Sequence, residues 1–172
     1  RLRVLDLACG TGYGSDYLSG KADRVVGVDC APQIVARNRA LYRHSAASFL
    51  AMDGCALGFL DESFDCILSQ DTIEHILDDR RFVAEVARVL RKTGTLVIFT
   101  PHGKGVAYKP EDPYHVREYN QEEFRDILSP YFSSIRWFGR RQGARLKAAE
   151  RSMDSVRRFD PGGIRNLVPR PI

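Results

Sequence analysis

Apolar positions along this chain keep two rhythms in alternation. Short apolar runs at residues 2–7, 24–29, 48–51, 64–69 and 95–100 have the length and residue types of strands. Between them the apolar positions recur at helical spacing. A short helix is predicted over 15–19. A second opens at Pro32, which suits a first turn, carries Ile34, Val35 and Leu41, and runs to about Arg43. A third is predicted over 80–91, where Phe82, Val83, Val86, Val89 and Leu90 share a face, with Asp79 as its cap and Gly94 as its stop. Strands alternating with helices predict an α/β fold: a doubly wound, mostly parallel sheet in three α/β/α layers.

After the fifth strand the pattern changes. Residues 101–117 read as a long loop rich in Gly, Pro, His and Tyr, and loops of that length in compact domains are usually functional or disordered. Asn120 can cap a helix carrying Phe124, Ile127 and Leu128, which Pro130 stops. Residues 132–138 alternate as a strand. Residues 144–159 read as a basic amphipathic helix, and the chain from Asp160 on is Pro/Gly/Arg-rich. The expected division is a domain over 1–139 and a basic helical tail over 140–172.

Composition adds limits. At 172 residues there is chain enough for one real core. No apolar run approaches the ~18–20 residues of a membrane-spanning helix. No signal peptide opens the chain, which starts almost on its first strand, and a natural helix ahead of it is expected to be missing here. Cys9, Cys30, Cys55 and Cys66 lack metal-type spacing, and a reduced, cytoplasmic protein is expected. Residues 136–172 hold ten Lys/Arg and three Asp/Glu, a net of +7. The whole chain is +4, so the remainder carries −3 and the excess of base lies in the tail.

The chemistry concentrates at residues 4–14, where an apolar strand enters a turn with glycines at 10, 12 and 14. A strand, a glycine turn and a helix make the ligand crevice of a doubly wound sheet. The spacing is Gly-x-Gly-x-Gly, not the Gly-x-Gly-x-x-Gly of dinucleotide sites. Asp6 lies inside the strand and Asp29 ends the next one. A pyrophosphate prefers bare N–H groups at such a place; an acid before the turn suits a ligand carrying an ammonium group.

The segment Asp6-Leu-Ala-Cys-Gly-Thr-Gly resembles the first motif of class I S-adenosylmethionine-dependent methyltransferases, and the likeness extends from residue 4 to about 101. It implies a Rossmann-like methyltransferase fold with S-adenosyl-L-methionine as cofactor, held by Asp6, Ala8, Gly10, Thr11 and Gly12 of the first motif. Asp29 would accept both hydrogen bonds of the ribose diol, with Cys30 and Ile34 beside the adenine. Asp53, between Met52 and Gly54, would accept from the adenine amino group, and Gln70 would lie under the methionine half. Asp65 reads as structural. The departure is Ala8, where many members of the family have glycine.

Methyl transfer from a sulfonium needs alignment and, for a hydroxyl acceptor, a base. His75 and His115 follow the fourth and fifth strands and leave the same sheet edge, so one of them is expected as base or substrate contact. Asp71-x-x-Glu74-His75 is similar to the Glu-x-x-Glu-His of magnesium-holding methyltransferases, with His115 as a fourth ligand. That likeness also occurs in relatives without metal, magnesium prefers oxygen ligands, and no metal is assigned.

Residues 113–139 and 159–169 are similar to methyltransferases of bacterial surface-glycan synthesis. This implies a small-molecule acceptor, a sugar or glycan-precursor hydroxyl or amine, on a nucleotide-linked or lipid-linked sugar. The basic tail would then meet a diphosphate or a membrane surface, or serve as a solvated face or a homodimer contact. The alternatives are a quinone or aromatic O- or C-methyltransferase, an RNA-binding protein, and a cofactor-binding domain without activity. No aromatic nucleic-acid motif is present, so no stable nucleic-acid partner is expected.

Overall fold

Five strands form one wholly parallel sheet in the order β3-β2-β1-β4-β5. They are β1 (Arg3–Leu7), β2 (Arg24–Asp29), β3 (Ala47–Ala51), β4 (Phe64–Gln70) and β5 (Leu90–Phe99). Among the described residues the helices are α1 (Tyr13–Ser19), α2 (Pro32–Leu41), α3 (Asp79–Val89) and α4 (Gln121–Leu128), with one turn of 3-10 helix at Ile73–His75. The computed structural model describes residues 2–110 and 112–139. Two compact units divide the chain, Arg1–Ile135 and Arg136–Ile172. The predicted tail helix over 144–159 lies outside the described residues.

Val4, Leu5 and Leu7 of β1, Val25 and Val28 of β2 and Ile67 of β4 are buried, as strands covered on both faces should be. Strand order reverses at β1: the chain steps to β2 and β3 on one side, then returns to β4 and β5 on the other. Right-handed crossovers therefore send α1 and α2 to one face and α3 to the other. Phe82, Val83, Val86 and Val89 bury the face of α3 against the sheet, and Phe124, Ile127 and Leu128 of α4 join the same core. The tips of β1 and β4 flank the switch point, where such sheets bind ligands.

Three expectations are corrected. The cap of α3 is Asp78, whose side chain accepts from Arg81 N, because Asp79 is buried and engaged elsewhere. The helix stops at Val89 without help from Gly94: Leu90 enters β5 directly, and Gly94 lies in an irregular stretch where pairing with β4 jumps from Phe64–Leu90 to Cys66–Thr95. Residues 132–138 are not a strand. Phe132 and Ile135 pack against the core three residues apart, so the apolar pattern is satisfied without a ladder. The cap predicted at Asn120 is present as a reciprocal box with Glu123.

Candidate functional site

The glycine turn is built by backbone geometry. Gly12 has φ +80°, and a Cβ there would lie 2.9 Å from both the Asn38 amide and the Phe49 ring, so only glycine fits. Asn38 is a polar residue on the buried face of α2; its Nδ2 donates to the Gly10 carbonyl at 2.7 Å and holds the turn from behind. Ala8 sits at φ +61°, a left-handed conformation that explains why glycine is frequent there. Asp71, across the crevice, is also left-handed at φ +48°. Strain on both walls of one crevice is the usual companion of a binding site.

Asp6 is buried and accepts from Ser15 Oγ at 2.6 Å. Burial raises its pKa, and the Ser15 hydrogen bond works against that. Asp29 uses one carboxylate oxygen to accept from Gly10 N and the other from Ala31 N, each at 3.0 Å. A carboxylate has about four acceptor positions, so one on each oxygen stays open for a diol. Burial first, then the Asp6 and Asp29 charges, push the Cys9 thiol up to about 12.

A cavity of about 550 Å³ opens over the turn. Asp6, Ala8, Gly10, Thr11 and Gln70 line it together with Asp71 and the exposed rings of Tyr13 and Tyr17. A Cβ on Gly10 would meet nothing within 4 Å, so the turn faces open space. The other expected cofactor residues stand outside this lining. Gly12 is buried beneath the turn. Cys30 is exposed next to Asp29. Met52 follows the tip of β3, where its N–H donates to the Asp29 carbonyl. Asp53 is exposed and accepts from Cys55 N at 2.8 Å, the geometry of an Asx turn. Gly54 packs on Phe82, with 2.9 Å left for a Cβ. An open glycine turn between two acids, Asp6 and Asp29, fits a ligand such as S-adenosylmethionine that carries both an ammonium group and a ribose diol.

The second half of the site is knitted from two loops. Val116 N and Arg117 N donate to the Glu74 carbonyl, at 2.8 and 3.3 Å. Arg117 pairs with Asp79, and Tyr119 Oη donates to the same carboxylate at 2.8 Å. These bonds bring His75 and His115 to 5.0 Å between ring centroids. The ring of His75 meets the Tyr114 carbonyl through Nδ1 at 2.9 Å, and that of His115 meets Glu118 Oε1 through Nδ1 at 2.7 Å. A carbonyl and a carboxylate accept, so both Nδ1 atoms donate, and in the neutral ring Nε2 is the free acceptor. Glu74 is fully buried; Thr100 Oγ1 donates to its Oε2 at 2.9 Å, and its Oε1 has no partner. Burial is the main reason its pKa is raised.

One carboxylate and two imidazoles, with donor atoms within 4.8 Å of one another, do not make the oxygen-rich shell magnesium takes. Asp71 is not among them; it is exposed and accepts from Gln70. The four-residue magnesium arrangement suggested by the sequence is therefore not formed. Ser15, Asn38 and Glu118 escaped the sequence reading. Asn38 had a signal, a polar residue three positions after Val35 on an apolar face; Glu118 had none beyond lying three residues from His115.

The methyltransferase domain family matches residues 5–98. A Mycobacterium tuberculosis protein named "Probable S-adenosylmethionine-dependent methyltransferase" is 33% identical over 150 residues, 84% of this chain and 53% of its own length. The demethylmenaquinone methyltransferase of Thermus thermophilus is 38% identical over 109 residues, 60% of this chain and 50% of its own. The solved PH0226 protein of Pyrococcus horikoshii superposes with a TM-score of 0.67 at 28% identity, covering 84% of this chain and 78% of that one. The chain spans about half the length of the curated relatives it matches. Matched over more than half its residues, with the glycine turn and the switch-point crevice in place, this chain belongs to the methyltransferase domain family.

Proposed function

We propose that this chain binds S-adenosylmethionine over its glycine turn and carries the transfer of its methyl group to a small-molecule hydroxyl or amine, on a sugar or glycan precursor. S-adenosylmethionine brings the activated methyl, so the chain's own task is alignment and removal of a proton. Asp6, Ala8, Gly10, Thr11, Gly12 and Gln70 take the amino-acid side. Asp29, Cys30, Met52, Asp53 and Gly54 take the nucleoside side. His75 and His115 contact the acceptor, and a bare Nε2 receives its proton.

The observation that carries this reading is the meeting of the two histidines, with the Glu74 and Glu118 carboxylates next to them, although neither ring lines the cavity over the turn. That surrounding is polar, which favours a sugar over an apolar ring. The second reading is a quinone or other aromatic acceptor. It is favoured by the exposed tyrosines 13 and 17 on the cavity wall and by the demethylmenaquinone methyltransferase among the relatives. No helix among the described residues is long and apolar enough to cross a membrane. A membrane-surface or homodimer contact through the basic tail remains part of the proposal, with cytoplasmic placement.

Tritium-labelled S-adenosylmethionine offered with UDP-glucose, an undecaprenyl-linked sugar and a dihydroxybenzene tests it. Label on a sugar supports the first reading and label on the aromatic ring the second. No binding of S-adenosylmethionine in calorimetry would overturn both.

A further inference from the structure

We infer that Glu118 is the positioning residue of this site, and that by holding His115 through Nδ1 it makes His115, not His75, the base. The two imidazoles look equivalent until their partners are compared. His75 leans on the main-chain carbonyl of Tyr114, which orients the ring but adds no charge, and the Glu74 carboxylate, within 4.8 Å of both rings, hydrogen-bonds neither. His115 leans on a carboxylate at 2.7 Å, and both side chains are largely shielded, 14% and 21% exposed. A carboxylate on the far nitrogen fixes the tautomer and stabilises the imidazolium formed when the near nitrogen takes a proton.

The fold places Glu118 with care. Its neighbours on both sides, Arg117 and Tyr119, bond the same buried Asp79. Tyr119 is further held by a bridge to His102 and by Gly103 N, which donates to its carbonyl at 2.9 Å. A Cβ on Gly103 would fall 2.4 Å from Glu118 Cβ, so a glycine opposite is what leaves Glu118 room. These contacts fix the backbone around a side chain that hydrogen-bonds His115.

This assignment rests on the methyl-transfer reading for its chemistry. There the acceptor O–H bond breaks and its proton goes to His115 Nε2. The oxygen lone pair forms the bond to the methyl carbon, and the carbon–sulfur pair stays on sulfur, leaving a neutral thioether. Glu118 remains ionised throughout.

The test reads the tautomer first, by long-range proton–nitrogen NMR of the full chain with no ligand. In the wild type both His75 and His115 should carry the proton on Nδ1. Glu118→Ala should shift His115 towards the Nε2–H form usual for a free side chain and leave His75 unchanged. Glu118→Gln, which keeps an acceptor and the fold, should leave both unchanged. Calorimetry with S-adenosylmethionine should give affinities within twofold of wild type for both variants. With whichever probe acceptor is labelled, turnover should fall at least tenfold in Glu118→Ala and by less in Glu118→Gln, with little change in acceptor KM. An Nε2–H His115 in the wild type, or the same tautomer in Glu118→Ala, overturns the assignment; so does full turnover in Glu118→Ala. Failure of S-adenosylmethionine to bind the wild type would instead remove the methyl-transfer reading and leave the tautomer result standing.

Discussion

The glycine turn and the histidine loops occupy neighbouring parts of one sheet edge, yet they are held by different kinds of contact. The turn is made by backbone: left-handed residues at 8, 10 and 12, and amides of Gly10 and Ala31 held by one carboxylate, Asp29. The histidine half is made by side chains across long separations: His75 to Tyr114 spans 39 residues, and Asp79 to Arg117 and Tyr119 spans 38 and 40. A backbone-built site is rigid and tolerant of side-chain change except where φ or space forbids it. A side-chain-built site stands or falls with a few buried polar anchors. The first suits a cofactor of fixed shape; the second suits an acceptor that differs among relatives.

The largest expected effect falls on the second half. His115→Ala should lower turnover by about 10²-fold or more, the usual worth of a general base, while S-adenosylmethionine affinity changes little. Stopped-time label transfer together with calorimetry measures both, and an equal loss in the two would make His115 structural. Asp79→Ala should cost about 3 kcal/mol of stability in urea unfolding, because it strands the Arg117 charge and the Tyr119 hydroxyl together. A loss below about 1 kcal/mol would mean the loops are held by something else.

On the turn, Asp29→Ala should weaken S-adenosylmethionine more than tenfold in calorimetry, since charge-assisted bonds are worth ~1.5–3 kcal/mol. Unchanged affinity would refute the ribose role. Ala8→Gly should stabilise the protein by about 1 kcal/mol in the same urea assay by relieving the left-handed alanine. A destabilised variant would show that the strain is not felt.

The smallest effect is a slope. Burial raises the Glu74 pKa, so the unfolded carboxyl ionises first as pH rises. That lowers stability above the ordinary glutamate value of about 4.3 and on through the higher folded value. Glu74→Gln removes this loss. Its Tm should match wild type below about pH 4 and exceed it increasingly above, up to a plateau, and a constant offset at every pH would contradict the linkage.

The strands at 24–29 and 64–69 and the glycine turn were legible because their signals are local: apolar runs of strand length, and glycines at a spacing a turn demands. Asp65 read as structural, and it accepts from Arg3 N at 2.8 Å and pairs with Arg91, far from the crevice. The misread places share a cause. Residues 132–138 alternate as a strand does, but apolar spacing cannot show whether a neighbouring strand exists to pair with. Asp79 looks like a helix cap, and only the return of the chain at Arg117 and Tyr119 gives that carboxylate its real partners.

By itself, then, the sequence determined the five sheet strands and the helices between them, the glycine turn with its two acids, and the family likeness they carry, since each depends on residues near one another along the chain. The tertiary structure alone decided that His75 and His115 meet and that Asp71 stands apart from them. Those facts rest on hydrogen bonds between loops about 40 residues apart, and no local pattern encodes which distant backbone will come to lie beside a given side chain.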